Sequence, residues 1–306
     1  MVATLDTISP RKPLAILQRP GSWLNVFSLD AVLVAVAWQL AFSLSYCSRP
    51  PHLGESLMLG LTVWIAYTAD RLLDASRLNL QRRHSLRHRV HADYRKPIQA
   101  IWLAAIVLNL GLIGSLASPS QLRWGLGCLL MVLAYMTRIH RTPLRLRLPK
   151  ELMAGSLFAF GVSLLAWSSG VSGDLLSLGS SVFLAAILFS TNCAAVAYWE
   201  RREDDEQEFR SWIRNPCLAI QILSLMLVLL GGTVFLLWIT ESIPGELAAC
   251  LSFSALSLMA VLWLSHFQSD EFDSHLVSLP NRWSLLADLS LAWPPLLVWA
   301  VGVAHG

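Results

Sequence analysis

Long uncharged runs constrain this chain more than any other feature of its sequence. Nine apolar segments are long enough, or nearly so, for the roughly 20 residues that cross a bilayer as a helix. They cover about residues 22–46, 53–73, 97–117, 122–139, 152–171, 179–200, 217–240, 246–266 and 284–304. With 55% hydrophobic and 14% charged residues over 306 positions, the composition is typical of a polytopic membrane protein. We therefore expect a single all-α membrane domain over residues 1–306.

The distribution of basic residues predicts how these segments are oriented. Connections after the second, fourth, sixth and eighth segments are long and charged, whereas the others are short and nearly neutral. If the N-terminus is cytoplasmic, only Arg49 and Arg123 of the 23 lysines and arginines face outward, which agrees with the cytoplasmic bias of basic residues. We therefore predict a cytoplasmic tail over residues 1–20, a C-terminus outside the cell, and a place in a bacterial inner (plasma) membrane.

Two carboxylate pairs stand at predicted helix ends on the cytoplasmic side. The uncharged run from Ser56 to Ala69 ends in Asp70 and Asp74, and a second run ends in Glu200 and Asp204. Residues four apart share a helix face, where two carboxylates repel by a few tenths of a kcal/mol unless a cation lies between them. Mg²⁺ is usually held by one or two carboxylates together with substrate phosphates. The repeated spacing favours a shared Mg²⁺ site over two solvated helix ends.

Other charged and polar groups add candidates near this face. A basic segment over residues 81–91 contains His84, His88 and His91, and it either attracts anionic lipid head groups or covers an anionic substrate. Polar groups inside spans are functional candidates by default. They are Asp30, which either lines a cavity or pairs with an arginine, together with Asn192 and Asp288. The connection before Glu151 is also basic, with Arg138, Arg141, Arg145, Arg147 and Lys150.

These residues resemble the UbiA superfamily of intramembrane prenyltransferases over most of the chain. Residues 68–74, Thr-Ala-Asp-Arg-Leu-Leu-Asp, resemble the family's first aspartate motif, and residues 200–204, Glu-Arg-Arg-Glu-Asp, resemble its second. Residues 148–152, followed by Gly155 and Gly161, are similar to its basic loop and fifth helix. In this chain Ala66 and Tyr67 stand where the family has Asn-Asp, and Glu200 replaces an aspartate.

The resemblance implies a fold and an activity. About nine transmembrane helices would surround a central cavity, in which Mg²⁺ holds a prenyl diphosphate and the prenyl group passes to an aromatic or lipid-like acceptor. Membrane lipids would be the other partner, and no nucleic-acid partner is expected. Asp70, Asp74, Glu200 and Asp204 would be the catalytic and metal-binding residues. The substrate-binding residues would be Tyr67, Arg71, Arg141, Lys150 and Asn192.

Two alternatives keep the same cavity. The first is a terpene cyclase of the UbiA type, in which the prenyl chain closes on itself and no acceptor is needed. The second is a non-catalytic isoprenoid or lipid carrier, or a transporter, because the Asn-Asp pair of the first motif is missing. Such a carrier would bind the ligand without releasing diphosphate.

Overall fold

The computed structural model describes residues 22–76, 84–141, 150–169, 175–201, 216–268, 277–278 and 282–305, and these ranges are almost entirely helical. Two short strands, β1 (His84–Ser85) and β2 (Val277–Ser278), pair in parallel. The helices are α1 (Ser22–Val26), α2 (Leu29–Cys47), α3 (Leu53–Ala75), α4 (Leu86–Asp93), α5 (Arg95–Leu116), α6 (Pro119–Arg141), α7 (Lys150–Val162), α8 (Leu164–Ser168), α9 (Leu175–Trp199), α10 (Pro216–Ile239), α11 (Gly245–Phe267) and α12 (Arg282–His305).

The helices are suited to a bilayer. Within the described ranges, six are long and apolar enough to cross it, namely α2, α5, α9, α10, α11 and α12. A helix forms its backbone hydrogen bonds within itself, and this is required in the bilayer because hydrocarbon offers the backbone no hydrogen-bond partners. Helices α3 and α6 are as long, with 23 residues each, but carry more polar side chains. The protein is thus an all-α polytopic membrane protein, while the count of nine spans stays a prediction.

Two predicted spans are interrupted in the structure. The first begins as α1 and bends at Ser28, whose φ of 56° is left-handed, so that helical hydrogen bonding restarts at Leu29. The fifth is divided at Ser163, whose hydroxyl donates to the carbonyl oxygen of Ala159 at 2.8 Å. Such bonds from serine to the preceding turn often bend helices. The first bend matters for the site, because it brings Asn25 next to Asp30.

Helix α9 lies at the centre of the bundle. Its apolar stretch is 61% buried, against 11% for α5, and it contacts α7, α10, α11 and α12. Gly155 lets α7 approach it closely, since a Cβ at this position would lie 2.3 Å from the backbone nitrogen of Ser190. The last helix, α12, packs on α2, where the indole of Trp38 donates to the carbonyl oxygen of Leu291 at 2.9 Å.

The two ends of the bundle differ in chemistry. At the neutral end, Arg49 pairs with Glu55 at 2.9 Å, and the Gln121 amide donates to Glu55 at 3.2 Å. These bonds join the connections that follow the first and third predicted spans. Both connections are short and nearly neutral, which predicted that they lie at the same end of the bundle. The opposite end, called the charged end below, carries α4 together with the final turns of α3 and α9. This end contains the candidate site.

Candidate functional site

The final turns of α3 present four of the predicted residues on one face. Tyr67, Asp70, Arg71 and Asp74 are three or four positions apart, which is the spacing of neighbours along a helix surface. Arg71 lies close enough to interact electrostatically with the other three and also with Glu200, which follows α9. The two helix ends that carry the predicted carboxylates therefore share one electrostatic environment.

Helix α4 connects these two helix ends. Arg87 is only 7% exposed, and its guanidinium forms an ion pair with Glu200. At the next position of the same helix, Nε2 of His88 lies 3.8 Å from Oδ2 of Asp74. The described part of the basic segment, from His84 to His91, thus lies largely buried at the charged end, and the inward side chains of α4 meet both carboxylate-bearing helix ends.

Two histidines of α4 are held neutral by their surroundings. Burial, followed by the positive charges of Arg87 and Arg71, lowers the pKa of His88 well below its usual value. Burial also lowers the pKa of His91 to about 4, although the His91 ring bonds to the Arg87 carbonyl oxygen at 2.8 Å. A neutral His88 brings no positive charge to Asp74, on which Arg71, Lys150 and Arg87 act as cations.

The carboxylates of α3 fit the donor chemistry of Mg²⁺. Asp70 and Asp74 supply hard oxygen atoms, and two carboxylates suffice for this ion when substrate phosphates complete its shell. In the described part of the chain, no group of three or more His, Cys, Asp or Glu side chains is arranged to hold a metal by itself. Oε2 of Glu200 is engaged by Arg87, which weakens this carboxylate as a ligand for a metal.

The basic connection before α7 brings one cation, Lys150, close to the carboxylates of α3. Lys150, the first residue of α7, acts electrostatically on Asp74. Its neighbour Glu151 is only 5% exposed, and its Oε1 has no hydrogen-bond partner among the described residues. Asp204 lies outside the described residues, and the side chain of Arg141 is likewise not described, so their predicted roles stay predictions.

Deeper in the bundle, a second polar group lies below the charged end. The amide of Asn192 donates to Oδ1 of Asp288 at 2.8 Å, and the carboxyls of Asp288 and Asp30 lie within hydrogen-bond reach of each other. Asn25 donates to Oδ2 of Asp30 at 3.0 Å. The direct side-chain partners of Asp30 are thus Asn25 and Asp288, while Arg71 and Arg87 act on it electrostatically, and its cavity-lining role stays a prediction.

Sequence reasoning did not assign several residues of this region. Arg87 was one basic residue among many in its segment, and Glu151 was only the neighbour of Lys150. Tyr135 of α6 and Cys193 of α9 also lie within electrostatic range of the carboxylates. A usable signal existed for Arg87 alone, because Leu86 and Val90 flank it at helical spacing and are 1% and 3% exposed.

Comparisons with known proteins identify no relative. No protein-family profile, no curated protein and no solved structure matched the chain. The resemblance to the UbiA superfamily therefore rests on the motif residues and their placement.

Proposed function

We propose that this protein transfers a prenyl group from its diphosphate to an acceptor within the membrane, with Mg²⁺ as cofactor. One observation carries the proposal. Asp70, Asp74 and Glu200 from two distant helices meet the guanidinium groups of Arg71 and Arg87 at one end of an apolar bundle. Such a site matches a ligand with a highly charged head and a hydrocarbon tail.

The reaction needs positive charge where the diphosphate leaves. Bound Mg²⁺ would neutralise part of the negative charge that develops on this group, and Asp70 and Asp74 are the residues that would hold the ion. Arg71 has a buried Nε without a hydrogen-bond partner among the described residues, which suits it to donate to a phosphate oxygen. Lys150 would supply a further cation, and preorganised charges of this kind lower the barrier.

Turnover of prenyl diphosphates tests this proposal directly. The full chain in lipid nanodiscs is mixed with prenyl diphosphates of several lengths, and inorganic diphosphate release is measured with and without Mg²⁺ and a membrane lipid extract. We expect Mg²⁺-dependent release that the extract stimulates. Asp70→Asn and Asp74→Asn should each lower it at least ~100-fold, since the metal loses a charged ligand at the step where diphosphate departs.

The control for these variants is Asp93→Asn, which removes an exposed carboxylate of α4. Asp93 pairs with Arg89 at 2.8 Å on the surface, so its removal should leave release nearly unchanged. Equal losses in Asp93→Asn and Asp70→Asn would contradict a role for the α3 pair. A second comparison uses Asp204→Asn and Asp205→Asn, of which only the first should abolish turnover.

A second candidate is a non-catalytic isoprenoid carrier. It is favoured by the ion pair between Arg87 and Glu200, which occupies a carboxylate that the transfer reaction would use for Mg²⁺. A carrier would bind prenyl diphosphates without releasing diphosphate in the same assay. A cyclase would release diphosphate without the extract and would yield a cyclic hydrocarbon or alcohol.

A further inference from the structure

A pair of carboxyl groups lies inside the bundle, away from the residues that would hold Mg²⁺. Asp30 is 5% exposed, and its carboxyl is within hydrogen-bond reach of that of Asp288. Two ionised carboxylates in such contact repel strongly in a medium of low dielectric constant, so they share a proton. An asparagine side chain in place of Asp288 would reproduce the hydrogen bonds of the protonated acid, which makes Asp288→Asn a close mimic.

The hydrogen bonds around the pair indicate where the remaining negative charge lies. Asp30 accepts from the Asn25 amide at 3.0 Å and from the backbone nitrogen of Ala31 at 2.9 Å. Asp288 accepts from the Asn192 amide at 2.8 Å. Asp30 has more donors, so it is the ionised member, and Asp288 holds the shared proton.

One polar atom beside the pair lacks a partner. Asn192 is 7% exposed, and its Oδ1 has no hydrogen-bond partner among the described residues, although its amide nitrogen binds Asp288. A buried amide oxygen without a partner is costly, and a proton-bearing group such as water would satisfy it. The Asn192 Oδ1 atom can therefore accept a hydrogen bond from a water molecule that delivers a proton to the pair.

The charges that face the pair come from the proposed diphosphate site. Arg71 of α3 and Arg87 of α4 both act on Asp30, and Arg87 also acts on Asp288. Among the described residues, the Tyr67 hydroxyl and the Cys193 thiol also face the pair. The two guanidinium groups thus provide the positive charge that compensates the ionised carboxylate.

We propose that Asp30 and Asp288 form a proton-binding site that takes up a second proton when a diphosphate binds at Arg71 and Arg87. The phosphate charges neutralise the two guanidinium groups, and the buried carboxylate loses its compensating charge. Protonation of Asp30 then becomes favourable. The inference rests on the proposed function only for the position of the diphosphate, and it requires no prenyl transfer.

Calorimetry can count these protons. Inorganic pyrophosphate with Mg²⁺ is titrated into the full chain in nanodiscs, in buffers with different ionisation enthalpies, so that the buffer dependence of the heat gives the protons taken up. We expect the wild type to take up as much as about one proton per site more than the Asp30→Asn/Asp288→Asn double variant, which has no carboxyl left to protonate. Asp288→Asn alone keeps the ionised Asp30 beside a mimic of the protonated acid, so it should take up a proton as the wild type does. Protonation of pyrophosphate itself is common to both proteins and cancels in this difference. Asp93→Asn, which removes an exposed carboxylate at the same end, should behave as the wild type.

The pH dependence of the affinity for Mg²⁺-pyrophosphate gives a second measurement. Because binding takes up a proton, affinity for Mg²⁺-pyrophosphate should fall with rising pH more steeply in the wild type than in the double variant, by up to about tenfold per pH unit. Asp30→Asn should remove the same excess, because it leaves only Asp288, which already holds a proton, and it serves if the double variant folds poorly. Equal proton uptake in the wild type, the double variant and Asp30→Asn would overturn the proposal, as would the absence of pyrophosphate binding. Proton uptake without prenyl transfer would contradict the proposed function alone.

Discussion

Arg87 joins the two halves of the charged end. It is buried in α4, pairs with Glu200 beyond α9, and acts electrostatically on Asp74 of α3. A buried guanidinium without a partner would be costly, and so would a buried carboxylate without one. The stability of this end and its capacity to bind anions therefore depend on the same residue.

We predict that Arg87→Gln destabilises the protein far more than Arg89→Gln. The first leaves Glu200 without its cation and should cost about 3 kcal/mol. The second removes an exposed pair with Asp93 at 2.8 Å and should cost less than about 1 kcal/mol. Thermal unfolding in detergent measures both, and similar melting temperatures for the two variants would contradict the buried pair.

His91 predicts a loss of stability in acid. The pKa of this buried ring is lowered to about 4, whereas an unfolded histidine titrates near about 6.5. As pH falls from about 6.5 to about 4, the histidine of the unfolded chain binds a proton, whereas His91 of the folded protein stays neutral. The free energy of unfolding therefore falls by on the order of 3 kcal/mol and then levels off. Melting temperature should fall less steeply in His91→Gln as pH is lowered through this window. An unchanged slope would mean that His91 does not titrate as inferred.

Individual residues also show which parts of the site can be predicted from the sequence and which cannot. Asp70 and Asp74 were identifiable because their relation is local, four positions apart on one helix. Asn192 and Asp288 form a hydrogen bond across 96 residues, and no local pattern tells which helices become neighbours. Arg87 was missed because a basic segment is usually solvated, and its burial depends on contacts with distant helices.

At the scale of elements, the contact between α7 and α9 sets the spacing of the bundle. Gly155 provides the close approach, and the Ser190 hydroxyl donates to the Leu152 carbonyl oxygen at 3.3 Å. Small residues that bring helix backbones together are a common basis of packing in membranes. This contact fixes α7, which begins with Lys150, against α9, which precedes Glu200.

Gly155→Ala should therefore be destabilising, whereas Gly161→Ala should not. The new methyl group at position 155 would lie within 2.6 Å of three Ser190 atoms, and overpacking of this kind costs about 1–3 kcal/mol. At position 161 nothing lies within 4 Å of an added Cβ. Unfolding in detergent compares the two, and equal stabilities would show that α7 and α9 can separate without cost.

The elements themselves were only partly predictable. Apolar runs identified the long helices, since composition alone requires the chain to satisfy its backbone inside hydrocarbon. The breaks at Ser28 and Ser163 were not predicted, because serine is tolerated within helices and only the local backbone conformation reveals the bend. Helix α4 was seen as a basic segment, although the spacing of Leu86 and Val90 indicated a buried face.

At the scale of the whole molecule, the predicted orientation can be tested by cysteine labelling. The five native cysteines are replaced, and single cysteines are introduced as Ser118→Cys at the neutral end and Lys96→Cys at the start of α5. We expect a membrane-impermeant maleimide to label Ser118→Cys in intact cells and Lys96→Cys only after permeabilisation. Labelling of Lys96→Cys in intact cells would reverse the orientation.

The bond between Trp38 and the Leu291 carbonyl has a consequence for how the protein is made. Helix α2 packs against α12, which is synthesised much later, because these two residues are 253 positions apart. Until α12 is inserted, Asp30 lies in the bilayer without its partner Asp288. Exposure of this carboxyl group to lipid is energetically unfavourable for the nascent chain. Truncation before α12 should therefore produce chains that quality-control proteases remove, and an added α12 peptide should rescue them.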